Sequence, residues 1–208
     1  MKVSRAVVAQ RSQDITRVCR KLYVTMALQE ISLKDISSET SFLRPALYNY
    51  FQSKEEIFLA ILREEYDLWA ASLQDIRQQH DTMTVTDFAD AVGQSLEQRT
   101  TMLKIQCMNL YEIEEHSRLE HLTAFKESYG HARDVMDDCL KAYVPDLTTE
   151  ERQIFPYTFL PFMYGIYPYV YPTAWQLESM RLAGIDRPDV SIRQLTRHCI
   201  CKLLTKGD

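Results

Sequence analysis

Glycine and proline are scarce in this sequence, with five glycines and seven prolines among 208 residues. Long apolar runs are missing as well, and none approaches the roughly 20 residues that a membrane-spanning helix needs. No basic segment followed by an apolar one opens the chain, as it would in a signal peptide. Together with 46% hydrophobic residues, these absences predict an ordered, largely helical protein of the cytoplasm.

Motifs of enzymes and metal sites are missing too. There is no G-x-S-x-G, no glycine-rich phosphate loop and no H-E-x-x-H, so we predict that the protein is not an enzyme. The five cysteines form no disulfide or zinc framework, and the pair Cys199 and Cys201 would point to opposite sides of a helix. One cluster contains several possible metal ligands: Glu112, Glu115, His116, Glu120 and His121. It is highly charged and lies near an apparent helix break, which favours a solvated turn. We therefore predict no cofactor and no metal.

Charge is distributed unevenly along the chain. Residues 1–54 carry nine Lys and Arg against four Asp and Glu, a net charge of +5, whereas the remainder carries fifteen against twenty-five, a net charge of −10. Only the N-terminal part therefore suits a phosphate backbone. Residues 1–10 are predicted to form a loose arm with Lys2 and Arg5 as possible phosphate contacts, followed from Arg11 by a helix with a basic face.

Residues 32–54 contain two helix-start patterns. Ser32 precedes Asp35, and Ser53 precedes Glu56, at the spacing in which a hydroxyl caps free amides and the acid reaches back. Few apolar residues lie between these two patterns, and polar residues such as Lys34, Arg44 and Asn49 cannot be buried in so small a core. This composition predicts a helix-turn-helix with its second helix at about residues 33–40 and its third at about residues 44–50.

These residues resemble the signature of TetR-type one-component transcriptional regulators. The resemblance rests on Ile36, on the run from Leu47 to Phe51 (LYNYF) and on Ser53-Lys54-Glu55, and it covers about the first quarter of the chain. Ser41 departs from a usual turn glycine and Leu43 from a common small capping residue. The resemblance implies an N-terminal DNA-binding domain, a C-terminal ligand-sensing domain and a twofold dimer formed through the last two long helices.

Nine residues are predicted to contact DNA: Ser32, Lys34, Arg44, Pro45, Ala46, Tyr48, Asn49, Tyr50 and Lys54. Arg44 can bond both acceptors of a guanine, and Asn49 can bond an adenine. Pro45 and Ala46 can contact a thymine methyl group. The others are predicted to contact phosphates through hydroxyl or ammonium groups, and Lys54 adds the free amides of a helix start. Alternatives stay open, because Tyr48 and Tyr50 can instead pack against the first helix, and Arg44 and Lys54 can be surface charges.

Helical periodicity continues to the end of the chain, and no strand-like alternation occurs. It predicts a fourth helix over residues 55–79, further helices up to Pro145, a proline-rich segment and a last helix near the C-terminus. We therefore predict an all-α fold of about nine helices. An N-terminal helix-turn-helix domain, residues 1–54, is joined by the long fourth helix to a C-terminal ligand-binding and dimerisation domain, residues 55–208.

The proline-rich segment, residues 154–172, combines Pro156, Pro161 and Pro168 with many aromatic residues and follows a capping pattern at Thr148 and Glu151. Interior prolines remove amides and kink or break a helix, and such a helix can line a cavity for an apolar or aromatic ligand. Packing in the core or at a dimer interface is the alternative. The predicted effector residues are Trp69, Met102, Cys107, Tyr111, Tyr129, Phe159, Met163, Tyr164 and Tyr167. Arg133 and Asp134 are further candidate pocket residues, although surface positions explain them equally well.

The functional hypothesis is a homodimeric DNA-binding regulator in which a small molecule controls binding to double-stranded operator DNA. It is a repressor if it follows the family's usual logic, with two recognition helices matching a palindromic operator. Two alternatives remain. One is a helical small-molecule-binding protein or enzyme whose helix-turn-helix is only structural, and the other is a nonspecific DNA binder without a ligand.

Overall fold

The computed structural model describes residues 5–40 and 44–205, with all side chains in these ranges except those of Arg5, Ala6, Arg44, Met108 and Asn109. The described residues contain eleven α-helices and no strand, which confirms the predicted all-α class. Two short helices, one at the end of the proline-rich segment and one after it, raise the number above the nine expected. The helices are α1 (Arg5–Tyr23), α2 (Leu33–Ser38), α3 (Arg44–Leu47), α4 (Lys54–Gln79), α5 (Val85–Glu97), α6 (Thr100–Glu115), α7 (Leu119–Tyr143), α8 (Thr149–Gly165), α9 (Tyr167–Val170), α10 (Ala174–Leu182) and α11 (Ile192–Leu204).

The chain divides into two compact units. The first comprises Met1–Glu64 and Asn109–Ser128, and the second comprises Glu65–Met108 and Tyr129–Asp208. The divisions fall inside α4, α6 and α7, so each of these helices contributes residues to both units. The domain boundary after residue 54, expected from the sequence, stays a prediction.

The core of the first unit is built on one face of α1. Its buried side chains are Ile15, Val18, Cys19 and Tyr23. The other buried residues of this core come from α2, from α3 and the turn after it, and from the first turns of α4: Ile36, Leu47, Phe51, Ile57, Phe58, Ile61 and Leu62. Tyr23 and Phe58 pack edge to face with ring centroids 4.9 Å apart. Because α1 begins at Arg5, the predicted arm over residues 1–10 is wrong from that residue onward, and Lys2 lies outside the described residues.

Helices α2 and α3 are both shorter than predicted. In the last turn of α2 the hydroxyl groups of Ser37 and Ser38 donate to the carbonyl oxygens three residues earlier, at 2.9 and 2.7 Å, and such bonds compete with continuation of the helix. After Leu47 the amides of Asn49 and Tyr50 also donate to carbonyls three residues back. This tighter turn replaces the rest of α3 and brings Phe51 back into the core.

The second unit packs α5 closely against α11. The buried residues of α11 are Ile192, Thr196, Ile200 and Leu204, one turn apart on a single stripe. Gly93 of α5 allows the close approach, because a Cβ atom there would lie 2.7 Å from the carbonyl oxygen of Arg193. Asp90 of α5 also receives two hydrogen bonds from the guanidinium group of Arg193. These hydrogen bonds hold the pKa of Asp90 below its ordinary value.

The proline-rich segment begins as predicted and then breaks. Thr148 and Glu151 form a reciprocal capping box, and Pro156 and Pro161 lie inside α8. Helix α8 ends at Gly165, and Pro168 lies in the first turn of the short α9. Neither α9 nor α10 contains a buried residue. None of the helices in the described ranges has the length and apolar character needed to span a bilayer.

Candidate nucleic-acid and effector sites

Helices α2 and α3 present polar side chains on one side and apolar anchors on the other. Ile31, Ile36 and Leu47 are buried, whereas the predicted contact residues around them are not. Five of the nine are exposed, namely Ser32, Lys34, Pro45, Tyr48 and Asn49, and three are half-buried, namely Ala46, Tyr50 and Lys54. Arg44 begins α3, but its side chain, like Ser41 and Leu43, lies outside the described residues.

The start of α2 has the predicted capping box. Ser32 Oγ accepts a hydrogen bond from the Asp35 amide at 3.3 Å, and the Ser32 amide donates to the Asp35 carboxylate at 2.9 Å. The Ser32 hydroxyl also donates to the Asp35 carboxylate at 2.6 Å, and this bond together with that from the Ser32 amide lowers the pKa of Asp35. The box fixes the first turn of α2, in which Lys34 is exposed.

Tyr50 and Lys54 make contacts inside the first unit. The Tyr50 hydroxyl accepts a hydrogen bond from Arg11 Nη1 of α1 at 3.3 Å, as in the packing alternative. Lys54 Nζ donates to the carbonyl oxygens of Leu28 and Gln29 at 2.8 and 3.3 Å, which ties the start of α4 to the loop after α1. An ammonium group has three donors, so these two bonds leave one for another acceptor.

Much of the positive charge of α1 is balanced within the unit. Three cations form ion pairs, Arg17 with Asp14, Arg20 with Glu64 and Lys21 with Glu39, at 3.3, 2.9 and 3.6 Å. Lys34 of α2, in contrast, has no ion-pair partner among the described residues. The described surface of α2 thus offers an ammonium group to an external anion.

A buried carboxylate connects the segment between α3 and α4 to the loop between α6 and α7, and sequence reasoning missed this connection. Glu56 is buried, and it accepts hydrogen bonds from the Gln52 amide at 2.7 Å and from Arg118 Nε and Nη2 at 2.6 and 2.9 Å. The second capping pattern is therefore altered, since Ser53 Oγ still accepts from the Glu56 amide at 3.3 Å while the acid bonds Gln52. Arg118 Nη2 also donates to the Tyr50 carbonyl oxygen at 3.4 Å.

The ionised form of Glu56 is stabilised by these contacts. Burial by itself raises the pKa of the carboxyl group, but the hydrogen bonds from Arg118 and from the Gln52 amide outweigh burial and lower the pKa. The same pair raises the pKa of Arg118. Because Arg118 lies 62 residues away in the sequence, no local pattern could have identified it.

The predicted effector residues do not form one group. Eight of them lie in the second unit, but Tyr111 belongs to the first unit and is 83% exposed. Phe159 and Met163 are buried, and Phe159 stacks on Phe155 with centroids 5.5 Å apart. A groove of about 870 Å³ beside α8, α9 and α10 includes Pro161, Phe162 and Met180 in its lining, but none of the nine.

Three of the predicted effector residues surround Tyr66, a buried residue of α4 that sequence reasoning missed. The ring centroid of Tyr66 lies 6.1 Å from that of Trp69 and 5.6 Å from that of Tyr129. Its hydroxyl accepts a hydrogen bond from Gln106 Nε2 at 2.5 Å and lies 3.4 Å from the Tyr164 hydroxyl. Burial and the neighbouring Tyr164 raise the pKa of Tyr66, so the phenol stays protonated.

The charged cluster weighed as a metal site is engaged in other contacts. His116 Nδ1 lies 2.8 Å from the Glu112 carbonyl oxygen, and Glu120 pairs with Arg118 at 2.7 Å. Hydrogen bonding to Glu112 raises the pKa of His116. Within the described ranges no three His, Cys, Asp or Glu side chains are grouped closely enough to hold a metal ion.

Two protein-family models match the chain. Residues 15–61 match the model described as bacterial regulatory proteins, tetR family, and residues 63–205 match the tetracyclin repressor-like C-terminal domain. The first match contains α2 and α3 with their polar surface, and the second contains Tyr66 and its neighbours. The comparison with curated proteins found no match.

Solved structures with the same fold include three bacterial regulators. The TetR family transcriptional regulator PfmR from Thermus thermophilus has a TM-score of 0.59 at 14% identity, covering 91% of this chain and 96% of its own. The fatty acid degradation regulator FadR from Bacillus halodurans has a TM-score of 0.59 at 12% identity, covering 98% and 97%. A ketosteroid transcriptional regulator of Mycobacterium tuberculosis has a TM-score of 0.50 at 16% identity, covering 93% of each. With family models matching both parts of the sequence, this chain belongs to the TetR family of transcriptional regulators.

Proposed function

We propose that this protein represses transcription by binding a palindromic operator and leaves the DNA when a small molecule binds the second unit. The operator is bound through the α2–α3 surface, which consists of the nine predicted contact residues on and around α2 and α3. TetR-family regulators bind operator DNA and act as dimers. The observation that carries the proposal is the division of α2, α3 and the turn after α3 into buried Ile36 and Leu47 and exposed Lys34, Tyr48 and Asn49. A helix with exposed polar residues on a fixed apolar base is the arrangement that enters a major groove.

Each predicted contact residue keeps a proposed role. Arg44 and Asn49 read base edges, while Pro45 and Ala46 provide apolar contact. Ser32, Lys34, Tyr48, Tyr50 and Lys54 contact phosphates, which fix the register of the protein on the duplex. For Lys54 this contact uses the N–H that is not bonded to the loop after α1.

Dimerisation is proposed to use α8 and α11, the last two long helices. Between α8 and residue 205, nine large apolar side chains are exposed: Ile154, Tyr157, Tyr169, Tyr171, Trp175, Leu177, Leu182, Ile185 and Leu203. Exposed apolar surface of this extent is typical of protein interfaces. A twofold dimer places two recognition helices on successive major-groove faces, which explains the expected palindrome.

Effector control is proposed to act through the helices that contribute to both units. A ligand shifts an equilibrium only by binding one state more tightly than the other. Binding beside Tyr66 would change α4, and α4 also carries Glu56, whose carboxylate bonds the Gln52 amide that follows α3. The effector is proposed to be a small apolar or aromatic molecule.

Two substitutions on the α2–α3 surface should weaken DNA binding in different ways. Asn49→Ala should cost about 1–3 kcal/mol per half-site and relax the base preference at one position of each half-site, because it removes base-edge hydrogen bonds. Lys34→Ala should weaken binding to all sequences and reduce the slope of log K against log salt by about 2, since the dimer loses two phosphate contacts, one per protomer. Fluorescence anisotropy with a duplex selected from a random pool measures both effects.

Lys141→Ala is the matched control, since Lys141 forms surface ion pairs in the second unit and should leave affinity and salt slope unchanged. Wild-type affinity for duplex DNA in all three variants would contradict the proposed surface.

A charged side chain in the proposed dimer face should separate the protomers. Leu203→Asp on α11 should raise the dimer dissociation constant at least about tenfold, because burying an unpaired carboxylate costs well over 1.4 kcal/mol. Leu119→Asp is the control, since Leu119 is an exposed leucine of the first unit. Sedimentation velocity over a concentration series measures the shift, and equal dissociation constants for both variants would refute this interface.

A further inference from the structure

Arg133 of α7 carries a positive charge that no described carboxylate balances. Its guanidinium carbon lies 5.8 Å from the ring centroid of Tyr129 and 5.6 Å from that of Tyr157. Its Nε atom is buried without a hydrogen-bond partner, and no ion-pair partner lies within reach among the described residues. Leaving a buried donor without an acceptor is unfavourable, so this group is suited to an anionic partner from outside the chain.

Gln106 of α6 has a buried hydrogen-bond acceptor without a donor. Its side chain is 4% exposed, and its Nε2 atom donates to the Tyr66 hydroxyl at 2.5 Å. Its Oε1 atom is buried and accepts no hydrogen bond. A buried amide oxygen in this state is an acceptor that a hydroxyl or amino group of a ligand can satisfy.

Tyrosine rings connect these two groups. Tyr129 lies beside Arg133 and also packs against Tyr66, with ring centroids 5.6 Å apart. The contacts run from Tyr157 of α8 through half-buried Arg133 and Tyr129 of α7 to fully buried Tyr66 of α4. Tyr164 of α8 stands beside the inner end, with its hydroxyl 3.4 Å from that of Tyr66. Four helices, α4, α6, α7 and α8, thus contribute side chains to one continuous polar and aromatic cluster.

We propose that this cluster, consisting of Arg133, Tyr129, Tyr157, Tyr164, Tyr66 and Gln106, binds an aromatic carboxylic acid that carries a hydroxyl or amino group. The carboxylate pairs with the Arg133 guanidinium, whose planar donors match two carboxylate oxygens. The ring packs against the tyrosines, and the ligand's donor satisfies Gln106 Oε1. One unbalanced cation suits a monoanion. This inference rests on the proposed function, in which the second unit binds the effector.

The test measures binding of 4-hydroxyphenylacetate to the full-length protein by isothermal titration calorimetry. Two further probes separate its chemical groups, since the methyl ester lacks the charge and phenylacetate lacks the hydroxyl. The wild type should prefer 4-hydroxyphenylacetate over both. Arg133→Met should weaken binding of the acid about 10- to 100-fold, because one charge-assisted contact is lost. Binding of the ester should change little.

Gln106→Leu should remove the preference for 4-hydroxyphenylacetate over phenylacetate, because the acceptor of the hydroxyl is gone. Arg181→Met is the control, since Arg181 is an exposed arginine of α10 paired with Glu178 at 2.7 Å. Arg133→Lys retains the charge without the two-pronged geometry and should give an intermediate affinity, which keeps the test decisive if Arg133→Met does not fold. Fluorescence of Trp69 in a Trp175→Phe background is a second readout, because its ring lies 6.1 Å from that of Tyr66.

Two results would overturn the inference. One is no heat and no fluorescence change with any of the three probes, which would mean that water alone satisfies Arg133 and Gln106. The other is equal affinity of the wild type and both Arg133 variants for the acid. Duplex binding is measured on the same samples. Acid binding without duplex binding would refute the proposed function and support the acid-binding site. Duplex binding without acid binding would support the proposed function and refute the acid-binding site.

Discussion

Arg118→Ala is expected to destabilise the first unit by about 2–3 kcal/mol, somewhat below the usual cost of breaking a fully buried ion pair because Arg118 is partly exposed. The substitution leaves the Glu56 carboxylate buried with the Gln52 and Arg118 amides as its remaining close donors. It also removes the hydrogen bond to the Tyr50 carbonyl oxygen, so duplex affinity should fall as well. Urea unfolding measures the loss of stability, and hydrogen exchange at the Gln52 amide measures how far its bond to Glu56 is weakened. Fluorescence anisotropy measures the loss of duplex affinity.

The pH dependence provides a second signature of this pair. The pKa of Glu56 is lowered from its ordinary value of 4.5, so its stabilising effect is complete above that value and is lost as the pH falls through the lowered pKa of the folded protein. Without Arg118 the carboxyl group should protonate at higher pH, and acid unfolding should begin earlier.

The control for Arg118→Ala is Arg17→Ala, which breaks the exposed pair with Asp14. An exposed pair is worth less than about 1 kcal/mol. If the two variants had equal stability and equal acid unfolding, Glu56 and Arg118 would not hold the end of α3 in place.

Gly93→Ala is expected to destabilise the second unit by about 1–3 kcal/mol, the usual cost of overpacking. The new Cβ would lie 2.7 Å from the carbonyl oxygen and 3.0 Å from the Cα of Arg193, and both atoms belong to a helix backbone that cannot move without its neighbours. Separation of α5 from α11 would also weaken the contact between Asp90 and Arg193. The gain in helix propensity, about 1 kcal/mol, offsets only part of this cost. Thermal unfolding followed by circular dichroism measures the change.

Gly130→Ala is the matched control. Gly130 lies inside α7, and a Cβ atom there meets nothing within 4 Å. Because alanine is the better helix former, this variant should be more stable than the wild type by about 0.5–1 kcal/mol. Stabilisation by both substitutions would show that α5 and α11 do not pack as closely as described.

Local sequence patterns were sufficient to predict the starts of α2 and α8, but not the start of α1 at Arg5. The boxes at Ser32 and Thr148 connect residues three positions apart, so the sequence carries the whole interaction. The ends of α2 and α3 were less predictable, because they depend on serine hydroxyls that compete for carbonyls and on the return of Phe51 to the core.

Contacts between distant residues could not be predicted. Glu56 and Arg118 are 62 residues apart, and Tyr66 and Gln106 are 40 apart, so only the folded chain shows that they meet. The same applies to Gly93, whose role depends on the backbone of Arg193. Among the predicted effector residues, Trp69, Tyr129 and Tyr164 lie around Tyr66, whereas Tyr111 is on the surface of the other unit.

The central claim is that a dimer of this chain binds one palindromic duplex with sequence preference. Sedimentation velocity of the full-length protein with its best duplex from a random pool, compared with a scrambled duplex over a salt series, tests it most directly. We expect two protomers on one duplex, half-site centres about one helical turn apart, and tighter binding than to the scrambled sequence at every salt concentration. Equal affinity for both duplexes, or no complex at low salt, would contradict the account.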